Sequence, residues 1–172
     1  GGVMEGIQLW INLPKRFKLE EPGYQDIKSD QLPILADPHS SAQTKVVAGT
    51  YRGVRGPART FTPLLVLQIG LGQGGETEVE IPPGFNACVY LLSGNAQLNH
   101  NFEYPAGTLL HFRNDGDGFS LTGLEPTQAL VLAGEPIDEP LAQWGPYVMN
   151  EQSELLEAMR DYQMGKMGFY ID

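Results

Sequence analysis

The sequence predicts an all-β domain, a sandwich or barrel of short antiparallel strands, with a single helix at its C-terminal end. Three observations lead there. Short apolar runs recur about every 8–12 residues with turn-forming residues between them, the spacing of sandwich and barrel strands. Glycine (21) and proline (13) are scattered without period through the 172 residues, well above their usual ~12% combined share, which excludes a collagen repeat and argues against a helical bundle. Only residues 151–163 repeat their apolar positions at three- and four-residue intervals.

Each element follows from its local pattern. Residues 7–13 alternate apolar and polar side chains at period two, which predicts a half-buried strand ended by Pro14. Residues 15–45 are polar and punctuated by Pro22, Pro33 and Pro38, so they read as a connecting segment with short strands. Further strands are expected over residues 44–49, 62–70, 76–81, 85–92, 96–99, 108–113, 118–122 and 129–133. Ser93 and Gly94 form a turn signal after the run at 85–92. For the helix, Asn150 is the expected N-cap, and Glu151 and Glu154 lie near the positive end of the macrodipole. Leu155, Leu156, Met159 and Tyr162 are expected on one face, and Gly165 is the expected stop.

Charge and cysteine content narrow the function. Eleven basic against 21 acidic side chains leave −10 at pH 7, a field that repels phosphate backbones, so direct nucleic-acid binding is not expected. The one cysteine, Cys88, forbids an intrachain disulfide and fits a reducing compartment. No signal peptide and no 18-residue apolar run is visible, so no membrane association is expected. The expected location is the cytoplasm, or also the nucleus in a eukaryote. A start at Gly1, so close to the apolar stretch at 7–13, leads us to expect a processed chain or a piece of a longer one.

Several motifs suggest chemistry that their context does not support. Gly70-Leu71-Gly72-Gln73-Gly74-Gly75 fits G-x-G-x-x-G after a strand, but a strand-like run follows where a dinucleotide site needs a helix, so it reads as a flexible loop. Glu76, Glu78 and Glu80 share one face of a strand and could hold calcium, though a solvated charged face is the preferred reading. Residues 114–118 resemble a calcium loop fragment, yet Arg113 and Leu124 stand where ligands belong, so this is a turn. His39, His100 and His111 form no local metal-ligand spacing, and Cys88 has no neighbouring base.

Two stretches resemble cupin motifs. Tyr90-Leu91-Leu92-Ser93-Gly94 resembles the strand and turn closing the first motif, and Pro105-Ala106-Gly107 the P-x-G opening the second. Three others resemble the pirin family: residues 6–14 (GIQLWINLP), Ala133-Gly134-Glu135-Pro136, and Gly145-Pro146-Tyr147-Val148-Met149-Asn150. The resemblance implies a double-stranded β-helix (jelly roll) with a C-terminal helix near 151–163. Pirins have two such barrels. Residues 1–20 would then be the last strand segment of the N-terminal barrel with its linker, and residues 21–172 the C-terminal cupin.

The resemblance also assigns the ligand positions. The cupin glutamate, seven residues before Gly94, falls on Ala87. The histidine pair falls on Ile81 and Pro83, or on Glu80 and Pro82 if the spacing is one longer. The second-motif histidine falls on Leu110, with His111 one step late and so on the opposite face, while Asn114 occupies the closing asparagine. Phe85, Val89 and Leu91 should point inward with Ala87. We therefore expect no catalytic residue and no metal or other cofactor in this chain. Ile81, Pro83, Phe85, Ala87, Val89 and Leu110 are interior positions that could at most line a pocket. Iron is implied only for the N-terminal barrel.

The resemblance implies an iron-containing regulator in which this domain has a structural and protein-interaction role. Some pirins resemble quercetin 2,3-dioxygenases, which makes part of such an enzyme the alternative; an apolar small-molecule-binding barrel is a third reading. The expected partner is the missing N-terminal barrel, or a second copy exchanging strands through residues 6–14, with other protein partners also open.

Overall fold

The computed structural model describes residues 2–4 and 6–168. Its strands are β1 (Ile34–Ala36), β2 (Ala42–Ala48), β3 (Thr50–Tyr51), β4 (Val54–Arg55), β5 (Leu64–Leu71), β6 (Glu76–Glu80) and β7 (Asn86–Ser93). They continue with β8 (Asn95–Leu98), β9 (Phe102–Pro105), β10 (Leu109–His111), β11 (Gly118–Gly123), β12 (Thr127–Gly134), β13 (Ala142–Trp144) and β14 (Tyr147–Met149). One helix, α1 (Gln152–Gln163), follows. Contacts sort the chain into two units: Gly23–Pro136, and the residues up to Pro22 together with those from Ile137 onward.

In the larger unit a six-stranded sheet, ordered β1-β2-β5-β12-β7-β10, and a four-stranded sheet, ordered β6-β11-β8-β9, are both antiparallel and share one core. Period two makes this possible: alternate residues of β2, β5, β7, β11 and β12 are buried, and those between them are more exposed. The register lines the buried residues up across the larger sheet. Leu110 pairs with Val89, Val89 with Val131, Val131 with Leu67 and Leu67 with Val46. Val79, Leu121, Ala96, Leu98 and Phe119 of the smaller sheet join the same cluster.

The turns depend on glycine where a side chain would not fit. Gly94 turns β7 into β8 with φ +75, and a Cβ there would lie 2.4 Å from the Pro126 carbonyl oxygen. The β3–β4 hairpin turns on Arg52 and Gly53, both at positive φ, as a type I′ turn requires. It carries Tyr51 into the core, and the Tyr51 hydroxyl donates to the Glu78 carbonyl at 2.8 Å. The Arg52 guanidinium donates to the same carbonyl at 2.9 Å, and the Ser40 hydroxyl both donates to and accepts from the Glu76 backbone at 2.8 Å. The outer edge of β6 is thereby occupied at Glu76 and Glu78 by side chains instead of a strand.

In the smaller unit β13 and β14 pair as a hairpin and α1 follows directly. The helix starts one residue later than the sequence suggests. Glu151 is the N-cap, and the Glu154 carboxylate accepts from the backbone N–H groups of Glu151 (2.9 Å) and Asn150 (3.1 Å). The Asn150 amide is instead drawn to Glu139 and Pro140, which explains the shift. Gly165 is the stop expected: its N–H bonds to Tyr162 and that of Lys166 to Asp161, which together make a Schellman motif. The buried face differs from expectation. Leu155 is buried, but Leu156 and Tyr162 are exposed, because a helix flanked on one side needs only a narrow apolar stripe.

Residues 7–13 correct a further expectation. They form no strand, since among the described residues no other segment pairs with them. Ile7, Leu9, Trp10 and Ile11 are all exposed.

The cross-strand row makes a testable statement about stability. Leu67→Ala should cost about 3 kcal/mol through lost burial and the cavity left behind. Leu109→Ala, on the exposed face of β10, should stay within about 0.5 kcal/mol. Urea unfolding midpoints of the two variants check this.

Candidate functional site

The candidate site is the barrel interior at the positions where cupins carry ligands. Ile81 follows β6, Ala87 and Val89 lie on the inward face of β7, and all three are buried. Phe85, just before β7, and Leu110, in the middle of β10, are partly buried and pack against the same core. The structure thus brings five of the six nominated positions together. The sixth, Pro83, does not belong with them. It is exposed in the turn between β6 and β7, because the chain leaves the sheet at Pro82 before re-entering.

The polar side chains nearest in sequence are all turned away. Glu80 is exposed on the outward face of β6, and His111 is exposed on β10 beside inward-packed Leu110. A one-residue step on a strand reverses the side chain's face, and here it separates imidazole from interior. His111 pairs in register with Cys88. Cys88 is half-buried, and burial pushes its thiol above the ordinary value. Asn114 donates to the Gly84 carbonyl at 2.9 Å, so the closing asparagine of the second motif fastens the loop between the histidine and glutamate positions of the first.

Among the described residues no three His, Cys, Asp or Glu side chains gather where they could hold a metal ion. Glu76, Glu78 and Glu80 do share the outer face of β6, and His100 lies 3.4 Å from Glu76. His39 is exposed. The glycine-rich loop is committed to packing. The Gly72 N–H donates to the Ser41 carbonyl at 2.6 Å and the Gly74 N–H to the Gly123 carbonyl at 2.7 Å. A Cβ on Gly75 would lie 2.6 Å from the Ser41 carbonyl oxygen. The backbone donors that a phosphate would need are used within the fold.

The donor set at the cupin ligand positions does not fit an iron ion. A first-row divalent ion takes nitrogen, oxygen or sulfur ligands. Ile81, Ala87 and Leu110 offer hydrocarbon, and Pro83 has no side-chain donor and points out. Two features escape a reading of the sequence. Tyr51 fills part of the core from a two-residue turn whose only signal is Arg52-Gly53 between apolar residues. A set of bonds from Lys15 and Lys18 to residues more than 120 positions away has no local signal at all.

Two facing antiparallel sheets around one core, with the P-x-G turn before β10 and Asn114 bound back to Gly84, define a cupin. More specifically, the chain belongs to the pirin family: residues 66–168 match the Pirin C-terminal cupin domain. Pirin-like protein 2 of Arabidopsis thaliana is 34% identical over 97% of this chain and 54% of its own length. Pirin of Rattus norvegicus is 34% identical over 95% of this chain and 57% of its own. A crystal structure of quercetin 2,3-dioxygenase from Acinetobacter baumannii is 35% identical with a TM-score of 0.87, covering 94% of this chain and 56% of that one. The chain therefore spans little more than half the length of these relatives. Among the described residues no helix is long and apolar enough to cross a membrane.

The environment of Cys88 yields a measurable outcome. A raised thiol value lowers the thiolate fraction at neutral pH, and thiolate is the reactive form. Iodoacetamide at pH 8 should label the native chain roughly tenfold more slowly than the urea-unfolded chain. Mass spectrometry over a time course gives both rates.

Proposed function

We propose that this chain is the metal-free cupin of a pirin-type protein, with a structural and protein-interaction role. The observation that carries the reading is the hydrocarbon at Ile81, Ala87 and Leu110, the positions where a metal-bearing cupin places imidazole and carboxylate. Membership of the pirin family supports a wider setting: a two-barrel, iron-containing regulator whose metal lies in the other barrel. Residues 6–14 supply the contact, pairing with that barrel's sheet or with a second copy of this chain. The −10 charge favours protein partners over nucleic acid, and the single cysteine favours cytoplasm, or nucleus in a eukaryote.

Metal titration tests this. After dialysis against chelator, the chain should take up no stoichiometric iron(II) or nickel(II) by calorimetry and elemental analysis. One equivalent bound by the wild type and lost in Glu80→Gln with His111→Ala would overturn it.

The likeness to the Acinetobacter baumannii structure, at 35% identity, favours a second reading: part of a quercetin 2,3-dioxygenase-like enzyme. Ring opening with dioxygen needs an open position on a redox-capable ion. In this reading the ion belongs to a barrel outside this chain. Purified chain supplied with iron should leave quercetin unchanged by absorbance. Turnover that persists in chelator would place the activity here.

A further inference from the structure

The smaller unit holds its N-terminal segment by two lysines. Pro14 is buried, and a short turn, Lys15–Phe17, follows it. The Lys15 backbone N–H donates to Glu139 Oε2 at 2.7 Å. Its ammonium lies 2.8 Å from Glu154 Oε1 and 3.1 Å from Glu151 Oε1, at the start of α1. The Lys18 ammonium donates to Asn12 Oδ1 at 2.7 Å and to the Val148 carbonyl of β14 at 3.1 Å.

The acceptors are themselves fixed. Glu139 Oε2 also accepts from Asn150 Nδ2 at 2.9 Å, and Asn150, which is 9% exposed, donates again to the Pro140 carbonyl at 3.0 Å. Glu154 is held by its bonds to the backbone N–H groups of Asn150 and Glu151. Hydrogen bonds with one ionised partner are the stronger kind, and a network of anchored acceptors costs less side-chain freedom than an isolated surface pair. The Glu154 bond holds the Lys15 ammonium above the ordinary lysine value, while burial pushes that of Lys18 below it.

Directly upstream lies a segment with the opposite character. Trp10 is 68% exposed, Ile7, Leu9 and Ile11 are exposed as well, and among the described residues the backbone groups of 6–13 bond to no other backbone group. A period-two run with free backbone donors and acceptors is what adds to the edge of a sheet. A free tail would lose much conformational entropy in doing so, and fixing its base reduces that loss.

We propose that Lys15 and Lys18 form a clamp that fixes the departure of residues 6–13 from the hairpin and helix, so that the base of this segment is already ordered before it pairs. This rests on the reading that residues 6–14 pair with the sheet of a second copy of this chain. The clamp acts on the partner step without touching the partner.

Chymotryptic cleavage of the Phe17–Lys18 bond, which lies between the two lysines, reads the clamp directly. Lys15→Ala combined with Glu139→Ala should be cut at least about tenfold faster than the wild type, and Lys15→Arg at close to the wild-type rate. The urea midpoint of each variant serves as the control for folding. Amide exchange gives a second measure: the Lys15 N–H should be protected in the wild type and lose that protection in Glu139→Ala. Sedimentation then tests the reading beneath it, with weaker self-association expected in the loosened variants. Loosening without any change in self-association would remove the docking reading and leave the clamp. An unprotected Lys15 amide in the wild type, with equal cleavage in all variants, would remove the clamp whatever the sedimentation result.

Discussion

The structure rests on a continuous row of hydrocarbon across the larger sheet, Leu110–Val89–Val131–Leu67–Val46 by register, faced by Val79, Leu121 and Phe119 of the smaller one. Close packing of such side chains supplies most of the drive to fold, and it admits an unpaired polar group only at considerable cost. The charged side chains and the imidazole near the centre are accordingly turned out of it, while the buried Thr127 hydroxyl is bonded to the Asn95 and Glu125 carbonyls. Glu80 and His111 face away, Cys88 takes the outer face of β7, and the one hydroxyl carried deep by an aromatic ring, that of Tyr51, reaches the Glu78 carbonyl. At Ile81, Ala87 and Leu110 the side chains that meet this core pack as hydrocarbon.

The comparison between Leu110 and His111 shows how little separates hydrocarbon from imidazole there. The second cupin motif places its histidine at the position held by Leu110, and this chain has an imidazole one residue further on. On a helix such a step would move a side chain by about 100°, but on a strand it sends it to the other side of the sheet. The same arithmetic governs β6, where Val79 is buried and Glu80 is not. Which face a residue takes, more than its presence in the sequence, decides what chemistry the interior has.

Much of the barrel was legible beforehand because alternation is a local property. The strands expected at 85–92 and 129–133 correspond to Asn86–Ser93 and Thr127–Gly134, with ends displaced by one or two residues where turns tighten. Alternation failed at residues 7–13, because it reports a preference for pairing and cannot supply the partner. The helix cap failed for a different reason: Asn150 is a good cap by type, but its amide is claimed by Glu139 and Pro140, an arrangement only the fold creates. Pro83 was assigned inward by counting along a motif, and the count ignores that the backbone leaves the sheet there. Of the candidate site, the inward set on β7 was readable, whereas Tyr51 and the lysine contacts, bridging up to 136 positions, depend on topology.

The partly occupied margin of β6 has a consequence for open-ended stacking of strands. Ser40 occupies both main-chain groups of Glu76, and Tyr51 and Arg52 share the Glu78 carbonyl, on the side of the small sheet where another ribbon would stack. Open-ended fibre growth requires two receptive margins on each ribbon, so that every newcomer recreates the surface it joined. With those groups of β6 occupied, the small sheet of this molecule offers a poor surface for such growth on that side.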